Sequence, residues 1–195
     1  MNKVVVAYFW KIEKKSLPFA FFSMAGDRRK LRNARGVHFA KMLGTGTGEK
    51  FTPSDADLSR WGALIVIDEN ILDLIDSNPV IKGWNTRATN EVRMVLDPIA
   101  AHGLWSGSNP FDWSHTPAAD AQVVAITRAR IKWRQNFRFW SAVPPVSTQL
   151  HKSPGLIAAI GIGEAPIGLQ GTFSLWENGK ALRDFAYKGS AHQGA

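Results

Sequence analysis

The chain has 195 residues and a mass of 21.5 kDa, enough for one domain or two small ones sharing a core. Hydrophobic residues make up 45% and charged residues 21%, the composition of a folded globular protein and not of a disordered one. The absence of cysteine excludes a disulfide scaffold, thiolate zinc sites, cysteine-held iron–sulfur clusters, thiolate-ligated haem and cysteine nucleophiles. The net charge of +8 is unevenly spread. Residues 1–35 carry nine bases against two acids, residues 36–120 six against eleven, and residues 121–163 six bases and no acid. Such a surface attracts nucleic acid, anionic lipid or an acidic protein. No nucleic-acid motif accompanies it, so nucleic acid is not expected as a partner.

Val4–Trp10 leads directly into Lys11, Glu13, Lys14 and Lys15, with no small-residue cleavage site, so it does not read as a signal peptide. The apolar run near Leu17–Ala25 falls well short of the roughly 18 residues needed to cross a bilayer. A cytoplasmic protein, with peripheral contact at the inner membrane surface, is the expectation.

Taken in order, the chain reads as strand, helix, strand, strand, helix, and then repeats. Val4–Ile12 and Gln122–Arg134 are β-branched and aromatic runs, hence strands. Segments starting at Ser16 and Gln135 space large apolar groups as sheet-packed helices do. Val37–Leu43 and Leu156–Ile160 form second strands, each closed by glycines, and Gly44–Gly48 and Gly161–Gly168 read as turns. Trp61–Ile67 and Thr172–Trp176 form third strands, leading into acid-capped helix starts at Asp68-Glu69-Asn70 and Glu177-Asn178. Glu91–Leu96 supplies a fourth strand to the first copy.

The repeat is visible in matched residues. Val5-Val6-Ala7 returns as Val123-Val124-Ala125 and Phe19–Ser23 as Phe137–Ser141, both 118 residues later. Gly44-Thr45-Gly46 returns as Gly161-Ile162-Gly163 after 117 residues, and Glu69-Asn70 as Glu177-Asn178 after 108. The expected architecture is a single α+β domain over residues 1–195. Two ferredoxin-like βαββα(β) units, about 4–97 and 122–195, are joined by a linker at 98–121 and form a pseudo-dimeric barrel. Phe22 is expected to superpose on Trp140. The second copy reaches Gln193-Gly194-Ala195 without a fourth strand, which predicts a sheet edge left to another chain or to solvent.

Ordinary hydrolytic signatures do not occur. His38, His102, His115, His151 and His192 form no HxH or HExxH pair, the glycine runs miss the phosphate-loop pattern, and no serine sits in GxSxG. The alternation Arg128–Arg134 places four bases on one strand face, either a solvated face or an anion clamp led by Arg128 and Arg130. Trp133, Phe137 and Trp140 are either core or the lining of an apolar pocket. The duplicated Phe19, Phe21 and Phe22 favour core.

Several segments resemble the spheroidene monooxygenase family, the carotenoid ketolases of purple phototrophic bacteria and their relatives. They are Ala40–Gly46, Phe51-Thr52-Pro53, Ala125–Ile131, Phe139–Val146, Phe185-Ala186-Tyr187 and, longest of all, Gly161–Trp176. The resemblance runs from Met1 to about His192, and family members continue beyond this end with a further helix and strand. It implies an oxygen-dependent monooxygenase that places a keto group on acyclic carotenoids, using haem and a reduced ferredoxin-like donor. A long apolar substrate drawn from a membrane suits an aromatic interior and a basic rim. Oxygen insertion at an unactivated carbon requires a cofactor. Without cysteine, the haem implied by the resemblance needs a histidine, tyrosine or methionine ligand. His192 is the first candidate, because the repeat sets it opposite Trp84 and only one half then carries it. His38 is the second. Two alternatives stay open: a haem barrel enzyme with other small-molecule chemistry, and a non-catalytic haem- or carotenoid-binding protein.

Overall fold

The computed structural model describes residues 2–49, 55–118, 120–130, 148–164 and 169–191, with backbone alone at 129–130, 169–170 and 188–191. The chain divides into two units, Met1–Gly44 with Leu58–Thr116, and Thr45–Asp57 with Pro117–Ala195. The fold class is α+β.

The first unit runs β1 (Lys3–Ile12), α1 (Leu17–Arg32), β2 (Val37–Gly46), β3 (Ala56–Asp68), α2 (Pro79–Asn85) and β4 (Ala88–Leu96), with strand order β4-β1-β3-β2. This is the split βαβ arrangement expected from the sequence. The tip of the β2–β3 hairpin counts with the second unit. There, β5 (Val123–Arg130), β6 (Leu156–Gly163) and β7 (Leu169–Trp176) lie in the order β6-β7-β5, followed by α3 (Gly179–Ala191). Residues 148–151 are helical. The remainder of the helix expected from Gln135 lies outside the described residues, as does Trp140.

Both units turn from helix to strand in the same way. Ala34 and Val37 donate backbone N–H to Leu31 and Ala34, and Ser153 and Leu156 do so to Leu150 and Ser153. Gly36 and Gly155 follow with φ of 77° and 79°, a left-handed bend that glycine adopts without steric cost. Their carbonyls accept from Asp68 N and Glu177 N, each at 2.8 Å. Val4 pairs with Ile67 in one unit, Val123 with Trp176 in the other. These features recur 119 residues apart up to the glycine and 109 apart after it. The expected offsets of 118, 117 and 108 are displaced accordingly. A run of three valines lets a sequence match slide by one, whereas the glycine bend fixes the register.

Three further expectations are corrected. Asp68-Glu69-Asn70 opens only a 3₁₀ turn over Glu69–Ile71, and α2 begins later, with Pro79 in its first turn and the Asn78 side chain accepting from Val80 N at 2.9 Å. Gly44–Gly46 and Gly161–Gly163 lie inside strands, not in turns. At Gly46 a Cβ would sit 3.1 Å from the Asp55 carbonyl oxygen, so a bare backbone is what lets the hairpin close. Finally, Phe21 and Phe22 are not core: they are 53% and 82% exposed. Of the triplet, Phe19 is the partly buried one packed against the core cluster, while Phe21 only lays an edge on Trp61.

The core explains why β1 and β3 read as unbroken apolar runs: both faces are buried. Toward the helices point Val4, Val6, Tyr8, Trp10 and Ile12 of β1 and Trp61, Ala63, Ile65 and Ile67 of β3. Tyr8 stacks on Trp10 at 5.3 Å and Trp10 on Trp84 at 5.2 Å, while Phe19 meets Trp84 edge-on at 5.1 Å. The three indoles of this cluster each find an acceptor. Trp10 Nε1 donates to Asn85 Oδ1 at 2.7 Å, Trp84 Nε1 to the buried Asp27 at 3.2 Å, and Trp61 Nε1 to Leu58 O at 2.8 Å. Lys30 Nζ, 2.9 Å from Asp27 Oδ1, balances the buried carboxylate. Truncating Trp84 to alanine is expected to cost about 3–5 kcal/mol, the usual loss for a buried aromatic. Urea unfolding of Trp84→Ala checks this, and a loss under about 1 kcal/mol would show that α2 is not anchored by its indole.

Candidate functional site

The opposite face of the first unit's sheet is also buried, and it holds a charge. Alternation along β2 turns Phe39, Lys41 and Leu43 away from the helices, beside Val5 and Ala7 of β1 and Leu64 and Val66 of β3. Lys41 is 2% exposed. A lysine so placed needs strong partners, since an ammonium loses its hydration on burial. Its Nζ donates to Ser106 Oγ at 2.5 Å and lies 5.7 Å from the centre of the Phe39 ring.

The segment that follows β4 supplies Ser106 by a tight turn. Trp105 N donates to Ser108 O at 2.7 Å, and the two central residues, Ser106 and Gly107, have φ of 57° and 87°. Two positive φ values mark a type I′ turn, which glycine accepts freely and serine does not. Serine in the left-handed region is held there by its surroundings, and what it faces is Lys41. Trp105 is buried, edge-on to Phe39 at 5.4 Å and 6.3 Å from Phe111. Nearby in the chain, Trp113 carries a buried indole N–H that has no hydrogen-bond partner, while Lys3 Nζ sits 5.4 Å from its ring. Aromatic walls around one buried ammonium suit a mainly apolar ligand with an oxygen at one point.

The helix-side face carries a different polar contact. Tyr8 donates its hydroxyl to Asp76 Oδ1 at 2.5 Å, and Arg93 Nε reaches the same phenol oxygen and Asp76 Oδ2 at 3.3 Å. Burial raises the phenol pKa above its ordinary value, and the bond to Asp76 adds to the shift. The phenol is therefore kept neutral, tying β1 to the turn at Ile75–Ser77 and to β4.

Comparison with known proteins identifies the chain. It is 36% identical over 181 residues to spheroidene monooxygenase of Rhodobacter capsulatus, covering 91% of this chain and 75% of that protein. The spheroidene monooxygenases of Cereibacter sphaeroides and Rubrivivax gelatinosus are 32% and 35% identical, over 79% and 82% of this chain. The chain belongs to the spheroidene monooxygenase family. It spans half the length of the Cereibacter sphaeroides relative and 62% of the Rubrivivax gelatinosus one. No family profile matches it. Among solved structures, an anthrone oxidase-like protein is 12% identical with a TM-score of 0.36, covering 100% of this chain and 81% of that one, a likeness too slight to argue from.

Within this family member the site residues expected from sequence fare differently. His192, Trp133, Phe137 and Trp140 lie outside the described residues, as does the Arg130 side chain. Arg128 Nη2 donates to Glu164 Oε1 at 2.5 Å, so its guanidinium faces a carboxylate of the same unit. His38 opens β2 as a surface residue, its Nε2 2.7 Å from Asp68 Oδ1. His151 Nε2 lies 2.6 Å from Gly48 O, in the second unit, and His102 and His115 are exposed. Among the described residues no three His, Cys, Asp or Glu side chains cluster as metal ligands. None of the described histidines fits as the axial ligand of a haem enclosed by apolar groups. The residues around Lys41 fit only the periphery of such a group, as apolar walls and a cation for a carboxylate.

Lys41 and Ser106 were not singled out from the sequence. The signal was present: one lysine interrupts the apolar run Phe39-Ala40-Lys41-Met42-Leu43, and Ser106-Gly107 is a turn pair. What links them is tertiary.

The Tyr8 contact yields a pH prediction with a definite sign. A phenol whose folded pKa lies above its unfolded value of about 10 stabilises the fold below that pH and loses its effect as pH rises beyond it. Stability of the native protein is expected to fall above pH ~10 more steeply than that of Tyr8→Phe. Urea midpoints of both proteins across this range test it, and parallel curves would show that the phenol titrates alike in both states.

Proposed function

We propose that this chain is an oxygenase that introduces a keto group into acyclic carotenoids, working with haem, O2 and electrons from a reduced ferredoxin-type donor. The observation that carries the reading is the 36% identity to spheroidene monooxygenase over 91% of the chain. The sheet face around Lys41 supports it from a separate direction, because a polyene needs aromatic walls and an oxygenated end needs a donor. Haem supplies the oxygen activation that side chains do not. The chain's own part is to hold the substrate: Phe39, Trp105 and Phe111 against the polyene, the Lys41 ammonium toward a carbonyl or carboxylate oxygen, with Ser106 fixing its direction.

His192 is proposed as the residue that would ligate the haem. Protein expressed with added haem is expected to show a Soret band that His192→Ala abolishes or shifts and His38→Ala leaves in place. An unchanged spectrum in His192→Ala would remove that assignment. If no Soret band forms while carotenoid still binds, the oxygenase reading gives way to a carotenoid-binding protein.

The substrate role of Lys41 has its own test. Co-expression with a carotenoid pathway, with and without a C-terminal extension taken from a relative, is expected to yield keto-carotenoids. Lys41→Met is expected to cut that yield roughly tenfold or more, the worth of one charge-assisted hydrogen bond, with little change in the urea midpoint. A collapse in stability with no specific loss of product would make Lys41 a structural tie only.

A further inference from the structure

Helix α1 shows one face to the core and leaves the other uncovered. Ala20, Ser23, Asp27 and Leu31 are buried, as their spacing along a helix requires. On the opposite side, Pro18, Phe22, Ala25, Arg29 and Arg32 form an exposed stripe, with Phe21 and Arg28 along its edge. Phe22 is 82% exposed, more than any other large hydrophobic of the described residues. Phe21 keeps its edge against Trp61 at 5.7 Å yet is 53% exposed. Together they make an apolar patch on one unit, where isolated exposed residues would need no explanation.

Cations flank the patch along the chain. Lys11, Lys14 and Lys15 precede the helix, and Arg28, Arg29, Lys30, Arg32 and Arg35 follow the aromatic half. Two acids answer them: Glu13 pairs with Lys15 at 2.8 Å, and Asp27 with Lys30 at 2.9 Å. Among the described residues, Lys14, Arg28, Arg29, Arg32 and Arg35 enter no ion pair. No helix of the described residues is long and apolar enough to cross a bilayer, so this face can lie on a membrane but α1 does not span one. Aromatic side chains that enter the headgroup boundary, flanked by bases that meet anionic headgroups, are the pattern of an interfacial helix. An acidic protein would match the bases but leaves two exposed phenylalanines unexplained.

We infer that the outer face of α1 docks the protein on an anionic lipid surface, with Phe22 and Phe21 inserted and Lys14, Arg28, Arg29 and Arg32 on the headgroups. The inference deepens the reading above, since a carotenoid reaches an enzyme from a bilayer. It does not require that reading to be measured.

The test is co-flotation of the 195-residue chain with carotenoid-free vesicles. Phosphatidylcholine vesicles rich in phosphatidylglycerol are expected to carry the protein up the gradient, and pure phosphatidylcholine vesicles are not. Phe22→Ser should lower partitioning about tenfold and Phe22→Leu should retain it, because a Phe side chain is worth about that much or more when buried. Arg29→Gln with Arg32→Gln should each lower it about fivefold and flatten its salt dependence. Circular dichroism of Phe22→Ser guards against misfolding, which its exposure makes a small risk. Binding that is indifferent to Phe22 and to the arginines, or absent altogether, overturns the inference. So does a change from dimer to monomer on Phe22→Ser with vesicle binding intact, which would assign the patch to a second copy. Because no carotenoid is present, either failure leaves the oxygenase reading to stand or fall by its own assay.

Discussion

The first unit depends on burying three indoles on one side of its sheet without stranding an N–H. Trp10 and Trp61 come from β1 and β3, Trp84 from α2, and their rings meet in one cluster. An apolar core of this kind gains much from area, but each indole brings a donor that loses water. Three different solutions appear: an amide at the end of α2, a carboxylate in α1, and a backbone carbonyl of β3. These acceptors fix where α1 and α2 sit over the strands. The buried Asp27 would be a liability alone, and Lys30 one turn on makes it tolerable.

With one face of the sheet committed to that cluster, the other is available for a different use. Its residues are just as buried, yet it holds Lys41, which contributes nothing to apolar packing except its stem. A serine held at positive φ meets a buried lysine, and an indole donor without a partner follows in the same loop. A core optimised for stability alone would have replaced all three. Departures of this kind, close together in the chain, are what the proposed substrate site would draw on.

The two faces of α1 show the same division at the surface. Its inner stripe answers to Trp84 and the strands. Its outer stripe joins exposed rings to unpaired arginines. A purely structural helix would place polar residues at Phe21 and Phe22, since solvent there rewards them.

The sequence by itself determined the strands, the order of elements in the first unit and the family. These follow from local and additive signals: β-branched runs, turn glycines and many matched residues. It misplaced the register by one residue where Val4-Val5-Val6 offers equivalent matches, and the helix start at Asp68–Asn70, where acids suggested a cap that Asn78 provides instead. It misread Phe21 and Phe22 as core, because an aromatic triplet on a helix looks the same whether or not a sheet covers it. Only the tertiary structure decided that Lys41 is buried and meets Ser106, 65 residues away. Such a contact costs nothing and signals nothing until the chain has folded, when loss of water makes each polar group depend on whichever partner the fold has brought within reach.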